Sequence, residues 1–166
     1  MELWDAYDRR GNRTGETLVR GKPLPEGRYH LVSCILIRHE DGDILLMHRA
    51  MEKEVYPGWW EIGAGGSALA GEDSLTCARR ELAEETGITG SLTFLHRTVS
   101  HDTIYDGYLC IYGGPKDQVT LQPGETTAYR WLNLREFLAF FDSDQCIPHL
   151  RTRLKDYVDQ TLRREL

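Results

Sequence analysis

No stretch of this chain approaches the roughly 20 consecutive apolar residues that cross a bilayer, so insertion through a helix is not expected. The start, Met1 to Gly15, places no apolar h-region behind a basic n-region; lacking that secretory signature, the chain is expected to be cytoplasmic. Cysteine is sparse: Cys34, Cys77, Cys110 and Cys146 form no C-x-x-C pair and sit mostly inside apolar patterns, where a reduced thiol packs as a small hydrophobe. Bases are outnumbered, 20 to 26, and the net charge of -6 disfavours binding to a nucleic acid polymer, whose phosphates require basic surface. A small anion can still be met by local Arg, Lys or metal. Repeats, low-complexity linkers and composition breaks are missing too. The 166 residues therefore read as one domain, 1–166, large enough to fold around a single core without a metal or disulfide.

What is present is a regular succession of strand and helix signals. Leu3 to Arg20 reads as a hairpin turning in Arg9-Arg-Gly-Asn12, so residues 1–28 form an N-terminal hairpin extension ending in the Gly- and Pro-broken stretch Gly21 to Gly27. Tyr29 to His39 and Asp43 to Ala50 read as strands at the centre of a sheet, joined by an Asp41-Gly42 turn. After the Tyr56-Pro-Gly58 turn come a short strand at Trp60 to Ile62, a glycine-rich loop at Gly63 to Gly66, and a helix from Ser74 to Thr86. Asp73 suits its N-cap and Gly87 its stop. Strands follow near Leu92 to Ser100, Ile104 to Tyr112 and Thr127 to Leu132. Asn133 caps a short helix, and the spacing of Ile147, Leu150, Leu154, Val158 and Leu162 predicts a longer terminal one.

Leu75, Ala78 and Leu82 share one side of the Ser74 to Thr86 helix, while Glu81 and Glu85 stack at i and i+4 with Glu84 beside them. Three carboxylates alone most often make a solvated face, because a like-charge pair in water costs only about 0.2–0.5 kcal/mol. Mg²⁺ or Mn²⁺ offers a second reading, since hard divalent ions join a few carboxylates to substrate phosphates and water. The preceding glycines would let backbone groups approach such an ion or a phosphate without Cβ obstruction.

Gly66, Glu72, Arg80, Glu81, Leu82, Glu84, Glu85, Gly87 and Ile88 fill, without insertion or gap, a 23-residue pattern of Gly, five residues, Glu, seven residues, Arg-Glu, apolar, any, Glu-Glu, any, Gly, apolar. In this the sequence resembles a Nudix hydrolase. At ordinary residue frequencies the identities recur by chance in on the order of one window in 10⁸. The resemblance implies an α/β (α+β) fold with a mixed β-sheet sandwiched between α-helices. It also implies hydrolysis of a phosphoanhydride in a nucleoside diphosphate linked to another group, or in a similar small diphosphate, with Mg²⁺ or Mn²⁺. Carried onto matching positions, Glu81, Glu84 and Glu85 are metal ligands, with the Gly65 carbonyl a further one; Glu72 and Arg80 form an orienting salt bridge. Glu84, Glu85 or, from the later Gln122-Pro-Gly-Glu125 loop, Glu125 would take the proton of an attacking water.

Two other functions stay in view. The segments around Tyr29 to Cys34 and Tyr56 to Trp60 also look like isopentenyl-diphosphate isomerase, but Gly65 and Ser67 stand where that enzyme's reactive Cys and metal-binding His are expected, and Cys34 reads as core. A noncatalytic nucleotide-binding module could dispense with the acids that are all present here. For the substrate, Arg28, His30, Arg49 and Lys53 are candidate phosphate contacts; Trp59, Trp60, Tyr105, Tyr108 and Tyr112 include candidates for a base-stacking wall, although strand aromatics mostly pack. A homodimer is left open.

Overall fold

The computed structural model describes residues 1–166. In chain order the elements are β1 (Leu3–Tyr7), β2 (Arg13–Val19), β3 (His30–His39), β4 (Ile44–Arg49), β5 (Trp60–Ile62), β6 (Ala64–Ser67), α1 (Ser74–Thr86), β7 (Leu92–Ser100), β8 (Thr103–Tyr112), β9 (Thr126–Leu132), α2 (Leu134–Asp142) and α3 (Pro148–Gln160). The main sheet runs β5-β4-β3-β8-β7, with β6 also paired to β3 and β9 to β4. It is mixed: β3 and β8 run parallel from His30 opposite Thr103 to His39 opposite Tyr112, and every other pairing is antiparallel.

The alternation within β3 and β4 explains why the sheet is covered on both sides. Ile35, Ile37, Leu45 and Met47 point to one face and pack with Ala78 and Leu82 of α1. Leu36, Ile44 and Leu46 point to the other and pack with Phe137 and Phe141 of α2 and Leu154 and Val158 of α3. Strands buried on both faces read as nearly continuous apolar runs, and each such side chain removed from water contributes about 1.5–3 kcal/mol. The result is a mixed sheet between helices, as expected. No helix is long and apolar enough to cross a membrane.

Two local features differ from the sequence reading. β3 and β4 pair only at Arg38 and Ile44 beside the turn, then part. In the gap lies the stretch expected as a glycine loop, which is instead strand β6, with Cys34 opposite Gly65 and Ser33 opposite Gly66. Glycine is used for space here. Gly63 has φ +69°, and a Cβ on it would overlap the Ile35 carbonyl. Glycines let β6 pair closely beside β3 and lie against α1, which strand propensity alone does not suggest. The N-terminal hairpin joins the body through reciprocal 2.9 Å hydrogen bonds between the backbones of Tyr7 and Tyr29. Arg13 also donates to the Glu72 carbonyl at 2.7 Å.

Candidate active site

α1 carries most of the acids. The Asp73 side chain accepts from the Thr76 N–H at 2.7 Å, satisfying a first-turn donor, and Gly87 ends the helix at φ 71° with its N–H donating to the Ala83 carbonyl. Burial of Ala78 and Leu82 fixes the rotation of the helix and turns Glu81 and Glu85 toward β6. Glu85 is only 6% exposed, Glu81 is half-buried and Glu84 is exposed. β6 is so close that a Cβ on Gly66 would overlap the Glu81 carboxylate.

Arg80 organises this face. It donates to both Glu72 oxygens at 2.6 and 2.9 Å, to the Ser67 carbonyl at 3.1 Å, to Glu81 at 2.7 Å and to Glu84 at 3.3 Å. The hydrogen bonds from Arg80 hold Glu72 below the ordinary carboxylate range. Glu72 and Arg80 thus form the salt bridge expected, and Arg80 also restrains Glu81 and Glu84. Burial pushes Glu81 up in spite of Arg80. For Glu85, burial followed by the charges of Glu61, Glu81 and Glu125 pushes the carboxyl well above its ordinary range. One Glu85 oxygen is buried with no hydrogen-bond partner.

Glu61 is an acid that the sequence reading did not single out. It sits on β5 between Trp60 and Ile62, so the alternation turns it away from the apolar face, and burial raises it despite a 2.7 Å bond from Arg49. Its signal was a lone charge inside an apolar three-residue strand. Glu125, from the loop before β9, pairs with Lys53 and lines the same cavity of about 230 Å³ as Gly65, Glu81, Glu84 and Glu85. α1, β6 and the loop before β9 therefore deliver carboxylates or backbone to this cavity, while Glu61 of β5 lines the adjoining one. No three of these side chains are already drawn together as a closed ligand set; Arg80 and Lys53 hold several of them instead. The donors nonetheless fit a hard divalent cation: carboxylate oxygens, mutually repelling, one of them buried and unsatisfied.

Not every residue expected at the site is there. Arg28 is held by Glu16 at 2.7 and 2.9 Å on the hairpin. His30 stacks on Trp4 at 4.3 Å and bonds Thr103 at 2.8 Å. Trp60 faces the opposite side of the sheet, packed beside the α2–α3 core with Arg130 over its ring. Neither Arg28, His30 nor Trp60 lines the acidic cavity or its neighbour. That neighbour, of about 210 Å³, shares Gly65, Gly66 and Ser67 with the acidic cavity and is lined further by Arg49, Tyr56, Tyr105 and Arg153. Tyr108 instead bonds Ser74, and Tyr112 stacks on Trp131. Cys77, Cys110 and Cys146 are buried as expected, but Cys34 is only half-buried and lines the second cavity, because the facing β6 residue is glycine. Burial holds its thiol protonated, pushed up to about 11, which makes it a poor nucleophile at neutral pH.

The NUDIX domain family model matches residues 28–150. This chain belongs to the Nudix family. A Nudix hydrolase of Listeria monocytogenes is 35% identical over 152 residues, covering 90% of each chain. An isopentenyl-diphosphate Delta-isomerase of Ruegeria pomeroyi is 33% identical over 144 residues, covering 80% of this chain and 78% of its own. The crystal structure of a Deinococcus radiodurans protein superposes with a TM-score of 0.68 at 20% identity, covering 83% of this chain and 87% of that one, a likeness of fold. As a Nudix hydrolase the chain is an enzyme, a pyrophosphohydrolase, and some of its relatives are isopentenyl-diphosphate isomerases, in line with the wider likeness seen in the sequence.

Proposed function

We propose that this Nudix hydrolase cleaves the phosphoanhydride of a nucleoside diphosphate linked to another group, or of a similar small diphosphate, in a reaction dependent on Mg²⁺ or Mn²⁺. The observation that carries the reading is Glu85, buried, unpartnered at one oxygen and surrounded by three further acids, an arrangement that is costly until a cation is shared among them. Glu81, Glu84, Glu85 and the Gly65 carbonyl would hold the ion. When bound, such an ion neutralises the diphosphate and lowers the pKa of a water at the reacting phosphorus.

The chain's own groups supply the rest. Arg80 orients Glu81 and Glu84, and Lys53 holds Glu125 at the cavity wall. A water oxygen forms the new P–O bond as the bridging P–O bond breaks, and the water proton passes to a carboxylate that reaches both cavity and solvent. Glu84 and Glu125 meet that description, with side chains 46% and 37% exposed. Glu61 and Glu85 are enclosed and act by holding charge. For the isomerase reading β6 offers Gly65 and Ser67 in place of Cys and His, and Cys34 is kept as the neutral thiol.

A panel of nucleotide sugars, dinucleotides and dinucleoside polyphosphates, assayed with Mn²⁺ and analysed for products, tests the reading. Hydrolysis of at least one compound is expected. Loss of the proton acceptor among Glu84→Gln and Glu125→Gln is expected to slow turnover by about 10²–10⁴-fold, with a changed pH profile. Unchanged rates in both variants, or a double-bond shift with no phosphate-containing product, would overturn it.

A further inference from the structure

The cavity beside the acid cluster contains a cation that the protein leaves unused. Arg153 projects from α3 with its guanidinium carbon 3.9 Å from the centre of the Tyr105 ring, and its Nε is buried without a hydrogen-bond partner. It pairs with no acid of the chain. Its neighbours differ in making direct hydrogen bonds: Arg49 donates to Glu61 and the Val55 carbonyl, and Arg151, whose Nε is likewise unpartnered, donates through its terminal nitrogen to the Ser143 and Cys146 carbonyls. A buried N–H left idle is unfavourable unless something else supplies an oxygen, and no acid of the chain occupies the other donors of the fork.

The surroundings indicate what that is. Arg153 lines the cavity of about 210 Å³ but not the acidic one, and the two cavities meet at Gly65, Gly66 and Ser67. The acidic cavity suits the ion and the scissile diphosphate; the second is lined by two cations, Arg49 and Arg153, and one acid, Glu61, which is already paired with Arg49. His149 lies beside both cations, and burial and then the charges of Arg153 and Arg49 push its pKa down. The remaining walls are largely apolar, including Val32, Val55, Ile147 and Leu150, which strengthens a charge-assisted bond formed there. Tyr105, the one expected stacking aromatic that lines this cavity, already has its face covered by Arg153. A nucleobase therefore does not find a free stacking surface on that ring, whereas an oxyanion finds a planar fork of donors.

We propose that Arg153 is a specificity-determining residue that binds a carboxylate or phosphate on the part of the substrate distal to the scissile diphosphate. This deepens, and rests on, the hydrolase reading above. The preferred substrates are then diphosphates with an additional negative group on one of the two joined moieties, and the free guanidinium discriminates against their neutral counterparts.

Matched pairs test this. NADPH against NADH and coenzyme A against 3′-dephospho-coenzyme A differ by a phosphate; UDP-glucuronate against UDP-glucose differs by a carboxylate. Calorimetric titration of the full chain in EDTA reads binding without turnover, and product analysis with Mn²⁺ reads hydrolysis separately. In at least one pair the charged member is expected to bind about tenfold more tightly, the scale of one charge-assisted hydrogen bond. Which pair discriminates tells phosphate from carboxylate. Arg153→Gln should bring that ratio to about one, Arg153→Lys should keep part of it, and Lys155→Gln, at an exposed neighbour on α3, should keep all of it. Equal binding within all three pairs, or a ratio that survives in Arg153→Gln, overturns the proposal; if Arg153→Gln does not fold, an undiminished ratio in Arg153→Lys together with loss in Lys155→Gln does so. Pair discrimination that depends on Arg153 without any hydrolysis would support the anion site and count against the reaction.

Discussion

Replacing Glu85 by glutamine removes a charge while keeping the shape of the side chain, which separates what the residue does for stability from what it does for activity. Glu85 is 6% exposed, one of its oxygens has no partner, and the charges of Glu61, Glu81 and Glu125 all disfavour its ionised form. A buried polar group left unsatisfied costs about 1–3 kcal/mol. The amide relieves that cost, because it carries no charge to desolvate and its NH₂ can donate to a neighbouring carboxylate. In a chelating buffer near neutral pH, Glu85→Gln is therefore expected to be more stable than the parent by about 1–3 kcal/mol, at roughly 2–4 °C in Tm per kcal/mol for a chain of this size. The dependence on pH has a definite sign. Because the folded-state pKa of Glu85 is raised above its unfolded value, the parent's stability is fullest below the unfolded carboxylate range and is lost as pH rises through the folded pKa. The advantage of glutamine should accordingly vanish toward about pH 4 and grow toward about pH 8. Scanning calorimetry in EDTA across that range measures it, and repetition with Mn²⁺ should raise the parent's Tm more than the variant's. A variant that melts below the parent at every pH, or an advantage of the same size at both ends, would refute the electrostatic account of this site.

Two glycine substitutions distinguish space near a side chain from space near backbone. Gly66→Ala sets a methyl against the flexible end of Glu81, so the fold should survive with Tm within a few degrees while turnover falls by about tenfold or more through displacement of Glu81; wild-type kinetics would show that the position of Glu81 is unimportant. Gly63→Ala sets a methyl against the Ile35 carbonyl at a backbone φ of +69°, and should cost about 3 kcal/mol or more in urea unfolding, by the sum of left-handed strain and overpacking. An unaltered unfolding midpoint would mean that β6 is not held as tightly against β3 as the structure shows.

Local physics explains which features were legible in the sequence. A cap, a period of 3.6 and a glycine stop are all written within a few residues, and Asp73, the Leu75–Ala78–Leu82 stripe and Gly87 define α1 as it occurs. The capping box at Asn133 and Glu136 likewise starts α2. The acidic pattern on α1 depends only on helical spacing, and it carried the family likeness that the wider comparison shows.

The sequence by itself determined the elements, the buried stripes and the acidic face of α1, because these follow from a residue's neighbours along the chain. Only the tertiary structure decided that the charges of Glu61 and Glu125 act on Glu85, that β6 pairs beside β3 and exposes Cys34 to a cavity, and that Arg28, His30 and Trp60 are directed elsewhere. Those outcomes depend on strand order and on which face of the sheet each helix covers. A carboxylate's charge acts through space, and the distance that sets its strength is fixed by packing between segments far apart in the chain.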